Sequence, residues 1–136
     1  MDEVERVERA MIAIRRRQTK RTLAEDEPAG QAFDVLDVIE ASEGPTVSAV
    51  ATALAVDQPR ASKLVSGAVS AGLVRRVADQ ADGRRSVLVL TERGQALVTD
   101  AHQRRQRAFA EAMSRWTPRE RAEFAGLLTR FVDAMR

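Results

Sequence analysis

The stretch from Thr46 to Gly94 does most to limit what this chain can fold into. Two short runs of helical periodicity are joined by Val56-Asp57-Gln58-Pro59. Two Val- and Leu-rich runs follow, closed by a loop whose tip reads Asp82-Gly83-Arg84-Arg85. Thr46 can cap the first helix, expected through Ala55, by accepting a hydrogen bond from an orphan amide. Val47, Val50, Ala51 and Leu54 supply its buried side. Asp57 is an N-cap for the second helix, expected over Gln58–Ala71, and Gly72 is a C-terminal stop. Leu73–Val77 and Ser86–Leu90 read as the strands of a hairpin, too small to stand alone and therefore laid against the helices.

The second helix separates its side chains cleanly. Ala61, Leu64, Val65 and Ala68 fall within one arc of about 100°. Pro59, Arg60, Ser62, Lys63, Ser66 and Ser70 fall opposite, with no carboxylate among them. Such a helix fits the DNA major groove, which is about 12 Å wide. Gln58 can pair with an adenine edge, Arg60 or Lys63 can reach guanine or phosphate, and Pro59 can touch a thymine methyl. Ser62 and Ser66 allow close approach, and Thr46 is counted with them as a DNA contact. Phosphate contacts fix register and base contacts carry sequence; the residue types alone leave that division open. At the hairpin tip Arg84 and Arg85 suit a narrow minor groove, where negative potential concentrates. Asp82 is expected to brace the Arg84 guanidinium through a bidentate pair. The competing reading for all of these is a solvated polar surface.

Charge distribution favours the nucleic-acid reading. The chain as a whole carries only +2, but Gln58–Gly94 holds seven cations against three carboxylates, a net +4. The remainder is therefore net −2, and the positive excess lies where a DNA contact needs it.

The flanks are helical and apolar along one side. Over residues 2–22, Val4, Val7, Met11 and Ile14 make a stripe suited to packing along another helix. Arg15, Arg16, Arg17, Lys20 and Arg21 beside it read as a solvated or dimer-flanking face rather than a nucleic-acid arm. Residues 25–30, containing Pro28 and Gly30, are expected to break the helix. A helix over Gln31–Ala41 would then face Phe33, Val35, Leu36 and Ile39 inward. Thr91 is expected to cap a long fifth helix with Leu97, Ala101, Ala108 and Ala112 in register. Thr117-Pro118-Arg119-Glu120 is a capping box with proline at the first helical position. The last helix carries Phe124, Leu127, Leu128, Phe131, Val132 and Met135. The expected fold is mainly α with a small β-hairpin wing: six helices in a single domain over 1–136. Within it, 31–94 forms a winged helix-turn-helix for DNA, and 1–30 with 95–136 form a helical dimerisation region.

Several function classes are disfavoured. The chain has no cysteine, which excludes disulfides, thiolate metal sites and thiol-based redox sensing. A lone His102 argues against a metal site or a histidine triad, and no metal or cofactor is expected. No apolar run approaches the roughly 20 residues of a membrane span, so a cytoplasmic location is expected.

The central stretch resembles the MarR family of bacterial transcription regulators. The resemblance rests on Leu54-Ala55-Val56, Ser62-Lys63-Leu64-Val65, Ala71-Gly72-Leu73-Val74 with Arg76, Asp82-Gly83-Arg84 and Leu90-Thr91-Glu92-Arg93-Gly94. These motifs span Leu54–Gly94, 41 residues, and helix order and length agree along the rest. The resemblance implies a homodimeric repressor on a pseudo-palindromic operator in double-stranded DNA, with a small-molecule effector or an oxidant altering the dimer geometry. Arg84 would be the wing-tip arginine and Asp82 its support. Two departures stand out. Ser48-Ala49 replaces an acidic residue common early in the third helix, and aromatic residues that could line an effector pocket are few. Phe33, Phe109 and Trp116 are the candidates for such a pocket, with ordinary core packing as the competing reading.

Two other classes fit the sequence less well. One is a winged-helix module that binds proteins without specific DNA binding; a groove face lacking acidic and large apolar groups offers a protein little. The other is an enzyme built on Glu120 and Glu123, or on His102 with Arg104 and Arg105. Glu120 is better explained by its cap, and His102 has no partner acid in sequence reach.

Overall fold

Caps set the element boundaries of this chain. The computed structural model describes residues 1–24 and 27–135, and no side chains from 19 to 32. Among the described residues the order is α1 (Glu3–Ala24), α2 (Glu27–Ala41), α3 (Val47–Leu54), α4 (Gln58–Ser70), β1 (Val74–Ala78), β2 (Ser86–Leu90), α5 (Glu92–Ala112) and α6 (Pro118–Ala134). None of these helices is long and apolar enough to cross a membrane. The chain divides into two compact units, Met1–Val98 and Thr99–Arg136.

In the first unit, α3 starts where the Thr46 hydroxyl accepts the Ala49 amide at 3.1 Å. It ends at Leu54 rather than Ala55, because Ala55 takes left-handed angles (φ 55°) and returns its amide to the last turn. Asp57 caps α4 by accepting the Arg60 amide at 2.8 Å. The end of α4 is a Schellman turn: Gly72, at φ 77°, donates to the Val69 carbonyl, and Leu73 donates to that of Ala68, each at 3.0 Å.

The sheet is two antiparallel strands in the register Val74↔Leu90 to Ala78↔Ser86. Its first strand lies one residue later than the sequence suggests, because the Leu73 amide is committed to α4. Pro45 lies along the far edge of β2, its carbonyl accepting the Leu88 amide at 2.9 Å. The core gathers Val35, Leu36 and Ile39 of α2, Val50 of α3, Val65 and Ala68 of α4, then Leu73, Val74, Leu88 and Val98. Phe33, Val47, Leu54 and Leu64 pack half-buried against it.

Two helical expectations need correcting. Helix α2 begins at Glu27, not Gln31, so it takes in Pro28 and Gly30. A proline in the first turn loses no hydrogen bond, since that amide has no intrahelical acceptor. Residues 25 and 26, the rest of the expected break, lie outside the described residues. In α5 Ala101 is buried as expected, but Val98 joins it in place of Leu97, which is 38% exposed, and Ala108 and Ala112 are exposed.

The second unit is a helical hairpin. Its turn is held by the full capping box: the Thr117 hydroxyl accepts the Glu120 amide at 3.1 Å, and the Glu120 carboxylate accepts the Thr117 amide at 2.9 Å. The Arg121 guanidinium donates twice to the Met113 carbonyl, at 3.1 and 2.8 Å. Trp116 meets Phe124 edge-on with ring centroids 5.2 Å apart. No residue of α6 is buried, and Phe124, Leu127, Leu128, Phe131, Val132 and Met135 all stand exposed.

Candidate nucleic-acid interface

Burial of Ala61, Val65 and Ala68 fixes how α4 is turned, and so which side chains face out. Gln58, Pro59, Arg60, Lys63 and Ser66 are exposed, and Ser62 is half-buried at the flank of that face. The Asp57 cap holds the start of the helix at the backbone of Arg60. No acid stands on the outward face, so a phosphate or a base edge would meet donors and cations there.

Two contacts orient this face, and neither was evident from residue spacing. The Ser48 hydroxyl on α3 donates to Gln58 Oε1 at 3.3 Å. That bond holds the amide of Gln58 while leaving its NH₂ group to donate, as adenine recognition requires. The small residue standing where the family often has an acid thus touches the first residue of α4. On the other flank, Arg76 of β1 donates to the Ser66 hydroxyl at 3.3 Å. Arg76 thereby joins the α4 face, although its place in a strand gave no sign of it. Thr46 is half-buried and its hydroxyl already accepts the Ala49 amide, leaving one hydrogen to donate outward.

At the wing tip, backbone and carboxylates interlock. Asp79 donates its amide to the Arg85 carbonyl at 2.9 Å, and Arg85 donates to the Asp82 carbonyl at 3.0 Å. Asp82 Oδ1 accepts the Arg84 amide at 3.1 Å, and Asp79 Oδ1 accepts that of Ala81 at 3.0 Å. The expected bidentate Asp82–Arg84 pair is not formed. The carboxylate folds back on the turn backbone, and Arg84 Nε comes no nearer to it than a single 3.9 Å approach. The Arg84 side chain is 96% exposed. Asp82 therefore shapes the turn, while the guanidinium itself projects into solvent. Arg85 differs, since its Nε lies 3.8 Å from the half-buried Asp79 carboxylate.

The pocket candidates fall on different units. Phe33 packs half-buried against the core of the first. Phe109, 59% exposed, and Trp116, edge-on to Phe124, belong to the second. The side chains weighed for catalysis hold structural contacts: Glu120 closes the capping box, Glu123 accepts from Arg119 at 3.1 Å, and Arg105 lies 3.3 Å from His102 Nδ1. Arg104 pairs with Asp100 at 3.1 Å.

Residues 28–85 match the profile of the MarR family. No curated protein matches the chain. Among solved structures it is similar to a MarR family protein from Bacillus stearothermophilus, at 21% identity and a TM-score of 0.81, over 98% of this chain and 93% of that one. It is similar to the PcaV transcriptional regulator of Streptomyces coelicolor, solved with its natural ligand, at 28% identity and a TM-score of 0.59, over 91% and 92% of the two chains. It is also similar to MepR of S. aureus bound to ethidium bromide, at 20% identity and a TM-score of 0.66, over 97% and 96%. The winged helix-turn-helix of this chain, from the start of α2 to the wing tip, is thus similar to that of the MarR family of transcriptional regulators.

Proposed function

We propose that two copies of this chain bind a pseudo-palindromic operator, repress transcription from it, and are released by a small organic effector. In this reading 31–94 is the reading head, and 1–30 with 95–136 pair the two copies. The observation that carries it is the pairing of an acid-free outward α4 face with a 96% exposed Arg84 at the wing tip. One supplies donors for a major groove, the other a cation for the adjacent minor groove. The chain acts as a regulator here, not as a catalyst.

Dimerisation is supported by α6 and its C-cap, where Phe124, Leu127, Leu128, Phe131, Val132 and Met135 stand exposed. A patch of that kind marks an interaction surface. An effector is supported by the ligands carried by PcaV and MepR. The test is a mobility shift with the DNA upstream of the chain's own gene, at moderate salt, against scrambled DNA of equal length. A specific shift with two protomers per site is expected. Equal affinity for both DNAs would leave the protein-interaction reading in its place.

A further inference from the structure

Thr91 does more than cap α5: three backbone groups from two segments meet at it. Its hydroxyl donates to the Gly72 carbonyl at 2.6 Å and accepts the Gly94 amide at 3.1 Å. Its own amide donates to the Leu73 carbonyl at 3.1 Å. Gly72 and Leu73 are the two residues whose amides close the Schellman turn of α4. Gly94 is buried in the first turn of α5, and a Cβ on it would run into the Leu73 carbonyl. One hydroxyl, with one hydrogen to give and lone pairs to receive, therefore serves both helix ends at once.

We propose that Thr91 is a positioning residue for DNA recognition, locking the exit of α4 to the start of α5 and so setting the angle at which α4 is presented. The proposal rests on the DNA-binding reading above. Each contact is made to backbone, which cannot swing away as a side chain could. The Gly72 carbonyl lies in a left-handed turn between α4 and β1, and a tilt of α4 against α5 must break its bond to Thr91. A simple N-cap would serve α5 alone; the donated bond to Gly72 is what brings α4 in. In a dimer the separation of the two α4 helices depends on this angle, and operators require about 34 Å, one DNA turn.

The test compares Thr91→Val, which loses both bonds at nearly constant shape, with Thr91→Ser, which keeps both. Fold is checked by circular dichroism. Affinity is measured for the operator, for random DNA, and for operators with one base pair added or removed between half-sites. Thr91→Val is expected to bind its operator about tenfold more weakly, with random-DNA affinity and salt slope unchanged. Its penalty for altered spacing should shrink, and Thr91→Ser should match wild type. A folded Thr91→Val with wild-type affinity and wild-type spacing penalty would overturn the proposal.

Should Thr91→Val not fold, Thr91→Asp carries the same test. It keeps an acceptor for Gly94 but cannot donate to Gly72, and the operator-to-random ratio removes the effect of its charge. Amide exchange in the free protein separates the two ways of failing. Faster exchange at Gly72 and Leu73 in Thr91→Val, with no operator binding by wild type, would sink the DNA reading and keep the junction. Unchanged exchange there would overturn the junction itself.

Discussion

Arg84 holds its guanidinium out in solvent at the wing tip. Because Asp82 hydrogen-bonds the Arg84 amide and approaches the guanidinium only at 3.9 Å, it shapes the wing tip while the Arg84 side chain stays 96% exposed. Replacing Arg84 by Ala should then leave stability nearly unchanged, as expected for a fully exposed side chain. It should weaken operator binding about tenfold and reduce the slope of log K against log salt by about one unit per wing. Mobility shifts from low to moderate salt would show it, and an unaltered slope would remove Arg84 from the interface. Asp34 behaves differently. Loss of water around its carboxyl, and secondarily the charge of Asp37, hold its pKa above the ordinary 3.8. The folded state therefore binds the proton more tightly than the unfolded one, and stability declines as pH rises through that window. Asp34→Asn should melt higher than wild type at pH 7, with the gap closing below the ordinary carboxylate range. Parallel thermal melts at the two pH values test this, and a gap that persists in acid would point to another cause.

At the scale of elements, α4 is defined at both ends by chemistry that is local in sequence. Asp57 accepts the Arg60 amide, and Gly72 permits the turn that stops the helix. Asp57→Ala should cost about 1 kcal/mol and Asp57→Asn much less, because asparagine caps nearly as well. Urea melts would distinguish them; equal losses would mean that the carboxylate acts through charge rather than as a cap. The same locality explains which boundaries were legible in the sequence. Thr46, Asp57, Gly72 and the Thr117–Glu120 box all lie within a few residues of the groups they satisfy. The start of α2 is not legible in this way because Pro28 is ambiguous: it stops a helix that precedes it but is welcome in the first turn of one that follows. In α5, Leu97 and Val98 are adjacent apolar residues of which only packing selects one, so periodicity does not distinguish them.

At the scale of the whole molecule, the second unit carries a run of exposed apolar side chains along α6. Leu127 is 54% exposed and Phe131 36% exposed on a helix with no buried residue. An apolar face of that extent is costly in water, at about 25 cal/mol per Å². Leu127→Glu should convert the proposed dimer to monomer and abolish tight operator binding, because one head contacts only half a site. Light scattering with size-exclusion chromatography reads the first effect and a mobility shift the second. A dimeric Leu127→Glu would move the interface elsewhere. The sequence by itself determined the helix-hairpin order, the caps, the polarity of the α4 face and the wing cations, since each is written in periodicity or in residues within one turn of each other. Tertiary structure alone decided that Ser48 holds Gln58, that Arg76 joins Ser66, that Asp82 serves backbone instead of guanidinium, and that Thr91 ties α4 to α5. Three of those contacts join residues ten to nineteen positions apart, where no local period carries the information. The fourth turns on where a short side chain points once its own turn has closed.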